Sequence, residues 1–225
     1  MESTIIFEDG HIIVYNKCAT IMVQPDRSGD PDLLQIAEAH CDHPLFVVHR
    51  IDRPVSGVVV YAKNKSVAHA LSAQFKERTI EKTYLAAVAE PPPAPEGVLV
   101  HYLEKNAQKN RSTVHDTLRK GTVRCELGYK VIGNTDHYQM LQIHLITGKH
   151  HQIRAQLAAI GCPIKGDVKY GARRKNQDRS IHLHAWRLGF QHPETGEKVV
   201  FEAPVPEGDS LWAAVSGSAD FSPRQ

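Results

Sequence analysis

Apolar and polar positions alternate in short runs along most of this chain, the period of strands with one buried face. Residues 4–8 and 11–16 are β-branched runs parted by Asp9-Gly10, which predicts a hairpin. Asp30-Pro31 then opens a helix reaching about His40, with Asp30 as N-cap and Pro31 in the first turn. Strands are predicted over 45–48, 57–63 and 83–89. A helix is predicted over 66–78, where Val67, Ala70, Leu71 and Phe75 fall at helical spacing. Pro91-Pro92-Pro93-Ala94-Pro95 makes a stiff loop. The second half is mostly strand, over 97–102, 112–118, 122–132 and 137–146. Thr147-Gly148 breaks the last of these, and a helix over 150–160 follows, capped by Gly161 and stopped by Pro163. Strands over 181–190 and 198–201 flank a turn at Glu194-Thr195-Gly196. A last helical turn falls at 211–215, and 216–225 reads as a flexible tail. Strands outnumber helices, so the fold class is α+β, with a mixed, largely antiparallel sheet and a few flanking helices.

A length of 225 residues, 41% apolar and 23% charged, fits one globular domain over 1–215. No run approaches the roughly 20 apolar residues of a membrane span, and the N-terminus carries no signal-peptide pattern, so a cytoplasmic protein is expected. Cys18, Cys41, Cys125 and Cys162 are scattered, which reads as reduced thiols rather than a disulfide framework or zinc site. Charge changes the picture more. The net charge is −6 over residues 1–48, +12 over 49–190 and −4 over 191–225. A basic middle is what a polyanion-binding surface requires, although charges on different faces would look the same in sequence.

Four segments could carry chemistry. His49-Arg50-Ile51-Asp52-Arg53-Pro54-Val55-Ser56-Gly57 lies between two predicted strands and sets one carboxylate between two arginines. Nearby cations keep a carboxylate ionised, which suits a nucleophile or base; a turn-forming Asp with two solvated arginines is the plainer reading. Thr147-Gly148-Lys149-His150-His151-Gln152-Ile153-Arg154 joins a strand to a helix start, where a phosphate or a buried Asp would suit the cations. Tyr84, at a strand start, is either edge packing or a platform for a base. His150, His151, His182 and His184 could bind a metal, but no carboxylate or cysteine stands at ligand spacing with them, and no metal is expected.

These segments resemble the RluA-type family of RNA pseudouridine synthases. The Asp52 segment is similar to that family's H-R-L-D-R-x-T-S-G, and Glu81-Lys82-Thr83-Tyr84-Leu85 to its K-x-Y-L. The run from Thr147 to Arg154 and on through Gly161-Cys162-Pro163-Ile164-Lys165-Gly166-Asp167 to Tyr170-Gly171 resembles T-G-R-x-H-Q-I-R…G-x-P-I-x-G-D-x-x-Y-G. The likeness spans residues 5–206 and leaves no room for an N-terminal S4 domain. Val55, Lys149 and Asn16-Lys17-Cys18-Ala19-Thr20 (against N-K-P-x-G) depart from the pattern.

The resemblance implies a pseudouridine synthase catalytic domain that needs no cofactor and isomerises uridine in transfer or ribosomal RNA. It assigns Asp52 as the catalytic residue, with Arg154 as its ion-pair partner and Tyr84 stacked on the uracil. Arg50 would enter the place of the flipped base. Arg53, Lys149, His150, Lys105, Lys109, Arg111, Arg173, Arg174 and Lys175 would meet RNA. A monomer with no required protein partner is expected. A non-catalytic RNA-binding protein and a metal-dependent hydrolase are the alternatives.

Overall fold

The computed structural model describes residues 2–26 and 29–216; the expected tail from 217 on lies outside them. Eleven strands and four helices follow one another among the described residues. They are β1 (Thr4–Glu8), β2 (Ile12–Lys17), α1 (Leu33–Cys41), β3 (Phe46–Val47), β4 (Ser56–Ala62), α2 (Lys65–Glu77), β5 (Glu81–Val88), β6 (Glu96–Asn106) and β7 (Arg111–His115). Then come β8 (Val123–Asn134), β9 (Gln139–Leu145), α3 (Gln152–Ala159), a 3-10 turn (Val168–Tyr170), β10 (Leu183–Gln191), β11 (Lys198–Glu202) and α4 (Ser210–Ser216). None of the described helices is long and apolar enough to cross a membrane. The class is α+β, as the alternation predicted.

The chain divides into two units, Met1–Lys82 with His184–Val205, and Thr83–Leu183 with Pro206–Gln225. In the first, the strands run β1-β2-β4-β10, with β3 on β4 and β11 on β10. Every pair is antiparallel except β4 with β10. The β1–β2 turn closes because the Asp9 carboxylate accepts from the N–H groups of His11 and Ile12, each at 2.8 Å. Ile12 and Val14 of β2 join Val58 and Val60 of β4, Val67 and Leu71 of α2, and Phe190 and Phe201 in one apolar cluster. Each such side chain contributes about 1.5–3 kcal/mol by leaving water. All seven residues of β4 are buried, which anchors the loop that precedes it.

In the second unit the strands run β5-β9-β8-β6-β7, all antiparallel. Ala155 of α3 packs with Leu103, Cys125 and Tyr170, so the helix lies on β6 and β8 and its start faces the β6–β7 hairpin.

Two helix starts differ from the sequence reading. The N-cap of α1 is Asp32, whose carboxylate accepts from Gln35 N–H at 3.1 Å. Asp30 is instead paired with Arg53 at 2.8 Å, and Pro31 lies outside the helix. Helix α3 begins at Gln152 rather than 150, because His151 sits at φ 52°, a left-handed conformation that no helix can pass through. The Gln152 carboxamide ties the preceding turn to the helix start, accepting from Lys149 N–H at 3.0 Å and from the Thr147 hydroxyl at 2.8 Å.

Gly57, the second residue of β4, sits at φ 118°, and a Cβ there would fall on the backbone of Ala185 in β10. Gly57→Ala should therefore destabilise the protein by roughly 2–4 kcal/mol, read as a lower urea midpoint. Gly121, at φ 85° with open space around it, should cost only about 1 kcal/mol as Ala. Equal midpoint shifts in the two variants would show that the β4–β10 approach is looser than described.

Candidate active site

The Asp52 loop is held by groups that have no freedom to move. The carbonyl of Asp52 accepts from Val55 N–H at 3.0 Å, closing a turn between the buried side chains of Ile51 and Val55. On one side of it, His49 Nε2 accepts from Val60 N–H at 3.0 Å and the ring stacks on Phe75, centroids 4.8 Å apart. Burial holds that imidazole neutral, its pKa pushed down to about 3. On the other side Ser56 Oγ lies 2.8 Å from His184 Nδ1, and His184 Nε2 lies 3.0 Å from the carbonyl of Ala203. A carbonyl only accepts, so Nε2 carries the proton and Nδ1 accepts from the Ser56 hydroxyl. His184 is fully buried, and its pKa is pushed down to about 4.

Behind the loop lies Lys17, fully buried. Its Nζ donates to the carbonyls of Cys18 at 2.9 Å, Ile21 at 2.8 Å and Arg53 at 3.3 Å. Three acceptors match the three N–H bonds of an ammonium. Burial lowers its pKa to about 7, while the charge of Asp52 acts in the opposite direction. Arg53, whose side chain stays exposed, is also engaged within the protein. Its Nε donates to the carbonyl of Thr20 at 2.9 Å, and its Nη1 pairs with Asp30. Arg53 thus clamps the 17–21 turn to the Asp52 loop, while Arg50 is exposed.

In the second unit Arg154 is 5% exposed, too little for a surface phosphate contact. Its Nε lies 2.7 Å from Asp167 Oδ2 and its Nη2 2.9 Å from Asp167 Oδ1. Both hydrogen bonds are charge-assisted, in the fork geometry only a guanidinium offers. Of the two partners the sequence allowed for this segment, a phosphate or a buried Asp, the structure supplies a buried Asp. Asp167 is held in turn by its backbone, whose carbonyl accepts from Tyr170 and Ala172 at 3.0 Å each. Gly166, at φ 87° and with Asn176 and Ser180 against it, leaves no room for a side chain beside this turn.

The basic residues expected at RNA separate into groups. Lys105, Lys109 and Arg111 are exposed on the β6–β7 hairpin, Lys149 is exposed before α3, and Arg173, Arg174 and Lys175 are exposed on the loop after Gly171. The hairpin and the start of α3 are tied together. His150 bonds to Asn110 Oδ1 at 2.9 Å, and Ser112 Oγ donates to the carbonyl of His150 at 2.6 Å. Lys169, which the sequence reading passed over, donates to the carbonyl of Asn110 at 3.2 Å. Tyr84 is half-buried on β5, opposite Ile143 of β9.

The histidines weighed as metal ligands have other work. His182 Nε2 bonds to Asp209 at 2.9 Å, its Nδ1 to Asn176 at 3.0 Å, and its ring stacks on Trp212. His150 stacks on His151 with centroids 3.8 Å apart. Among the described residues no cluster of histidine, cysteine and carboxylate side chains is arranged to hold a metal.

A family model described as RNA pseudouridylate synthase matches residues 11–159. The uncharacterised RNA pseudouridine synthase YlyB of Bacillus subtilis (strain 168) is 32% identical over 216 residues, covering 92% of this chain and 70% of that protein. The chain belongs to the RNA pseudouridylate synthase family. The tRNA pseudouridine synthase C of Haemophilus ducreyi is 29% identical over 94% of this chain and 93% of its own. The ribosomal large subunit pseudouridine synthase D of Zymomonas mobilis is 30% identical over 92% and 70%. In fold, the chain matches the solved structure of human RNA pseudouridylate synthase domain containing 4, with a TM-score of 0.75, 23% identity, and 94% and 91% coverage.

As a synthase of this family, the chain accommodates its departures locally. Thr20 stands where the family's turn has Gly, and it adopts φ 75°, a strained conformation for a β-branched residue. Reciprocal bonds with Arg53 hold it there, Thr20 N–H to the Arg53 carbonyl at 2.8 Å and Arg53 Nε to the Thr20 carbonyl. Cys18 has an N–H that the family's Pro lacks, and Ser3 Oγ accepts it at 3.0 Å. Val55 is 2% exposed, so the hydroxyl it replaces gives way to apolar contact.

His184 makes the stability of this arrangement depend on pH. Its folded pKa of about 4 lies below the ordinary value of 6.5. Between the two, the unfolded chain binds a proton that the folded chain cannot. Stability should then be full above about pH 6.5 and fall as pH drops toward 4, by at most ~1.4 kcal/mol per pH unit from this group. Urea midpoints at pH 7, 6 and 5 should show the decline, shallower in His184→Gln. Identical slopes in the two proteins would remove His184 from the account.

Proposed function

We propose that Asp52 carries the reaction, with Arg154 keeping that carboxylate ionised and oriented and Tyr84 stacking on the uracil. The reaction converts uridine in RNA to pseudouridine. The C1′–N1 bond breaks, the freed uracil turns, C5 bonds to C1′, and the proton on C5 is lost while N1 gains one. Asp52 begins this either by attacking C1′ or by taking the C2′ proton. Tyr84 is placed by its motif to assist loss of the C5 proton.

The observation that carries this reading is the burial of Arg154 against Asp167. A protein that merely held RNA would gain nothing from an arginine that phosphate cannot reach. Desolvating a guanidinium costs several kcal/mol, and an arginine fixed this firmly is suited to orienting a partner carboxylate. Uridine leaves its stack to react, at a cost of a few kcal/mol. Arg50, exposed beside Asp52, enters the vacated place, where a guanidinium plane stacks well on bases. Lys105, Lys109, Arg111, Lys149, Arg173, Arg174 and Lys175 meet phosphates and set register without reading sequence. His150, already bonded to the hairpin, supports that surface. Transfer RNA or ribosomal RNA is the substrate, the chain acts as a monomer, and it works in the cytoplasm.

Asp52→Asn should lower pseudouridine formation by at least ~10³-fold while RNA binding persists. Arg154→Lys should recover little, since a point charge cannot reproduce the planar fork. Tritium release from [5-³H]uridine-labelled RNA measures both, with a filter-binding assay for affinity. Turnover by Asp52→Asn near the native rate would exclude Asp52 as the catalytic residue.

A further inference from the structure

Two arginines with different surroundings share one aromatic ring in the second unit. The Cζ of Arg111 and the Cζ of Arg154 each lie 5.1 Å from the centroid of Tyr170. Arg154 is buried and paired with Asp167, whereas Arg111 is exposed at the head of β7. The ring they share is fixed. Its hydroxyl accepts from Ser112 N–H at 2.8 Å and lies 3.0 Å from His151 Nδ1. Ser112 is the neighbour of Arg111 and His151 is the cap of α3, so the ring joins the hairpin to the helix that carries Arg154.

The electrostatics of this stack depend on what Arg111 holds. Each guanidinium is attracted by the face of the ring. The two like charges repel one another, more strongly where water is excluded. A phosphate bound to Arg111 compensates its charge, which removes the repulsion and leaves the attraction. The guanidinium of Arg154 then sits more firmly against ring and carboxylate.

We propose that Tyr170 is a positioning residue of the reaction, transmitting the occupancy of Arg111 by an RNA phosphate to Arg154. The proposal rests on the roles given above to Arg154 and Asp52. It distinguishes Arg111 from the other exposed cations, which contribute to binding alone.

Single-turnover rates at saturating RNA, measured beside RNA affinity, test it. Arg111→Gln should weaken binding and also lower the saturated rate about fivefold, the scale of one cation–π contact. Lys120→Gln, a change at an exposed lysine given no role here, should leave the saturated rate unchanged. Tyr170→Leu should lower the saturated rate about tenfold or more and leave affinity within about threefold. Tyr170→Phe, which keeps the ring, should recover most of that loss. In the Tyr170→Leu background, Arg111→Gln should cost no further rate. A native saturated rate in Arg111→Gln overturns the proposal, and so does Tyr170→Phe as slow as Tyr170→Leu. If Tyr170→Leu does not fold, as a thermal melt would show, the Arg111→Gln and Tyr170→Phe results decide. Asp52→Asn is run alongside. Its inactivity with an unaltered Arg111→Gln rate defeats only the Tyr170 proposal, whereas its turnover defeats the reading of the site itself.

Discussion

The ion pair between Arg154 and Asp167 is the constraint that fixes the start of α3 against the turn after Gly166. Both side chains are almost wholly withdrawn from water. Desolvation of two such charges offsets most of their attraction, so the pair adds little net stability. What it supplies is direction. Two parallel hydrogen bonds fix the plane of the guanidinium, and an ammonium in its place would leave that plane undefined. The segments that make the pair are themselves pinned. Helix α3 is started by Gln152, and the Asp167 turn is closed by the backbone of Tyr170 and Ala172.

The first unit reaches the same end with less charge. The Asp52 loop is framed by neutral imidazoles, His49 and His184, each spending a ring nitrogen as an acceptor. Lys17, a fully buried lysine beside this loop, is spent on backbone carbonyls. Leaving those carbonyls unpaired would cost about 1–3 kcal/mol each. Fixing the backbone on both sides positions the loop that bears Asp52, the residue proposed to carry the reaction. Strain is tolerated where bonds repay it, as at Thr20, whose left-handed backbone is secured by Arg53.

Much of this was legible in the sequence, because strand alternation and motif order are local signals. The α+β class and most strands followed from period-two patterns, and the order of the three motifs pointed to the family. Other features were not legible because they depend on pairings distant in sequence. Asp167 was part of a quoted motif without a role, since nothing local says that it meets a side chain 13 residues earlier. The pairing of Arg53 with Asp30 is likewise set by the fold and not by neighbours in sequence. Asp30 and Asp32 are both good N-caps by type, and only the backbone conformation chooses between them. Lys17 looks like a surface lysine at a strand end. The N-K of the early motif was the signal that could have found it.

The most direct test of the account is the saturated single-turnover rate of Asp167→Asn, an isosteric change that removes one charge of the pair. Arg154 would keep its place in the sequence and lose its orientation. The account predicts a fall of about 100-fold or more in pseudouridine formation, with RNA affinity within about threefold, in a protein that is folded but less stable by about 3–5 kcal/mol. A folded Asp167→Asn that forms pseudouridine at the native rate would contradict it.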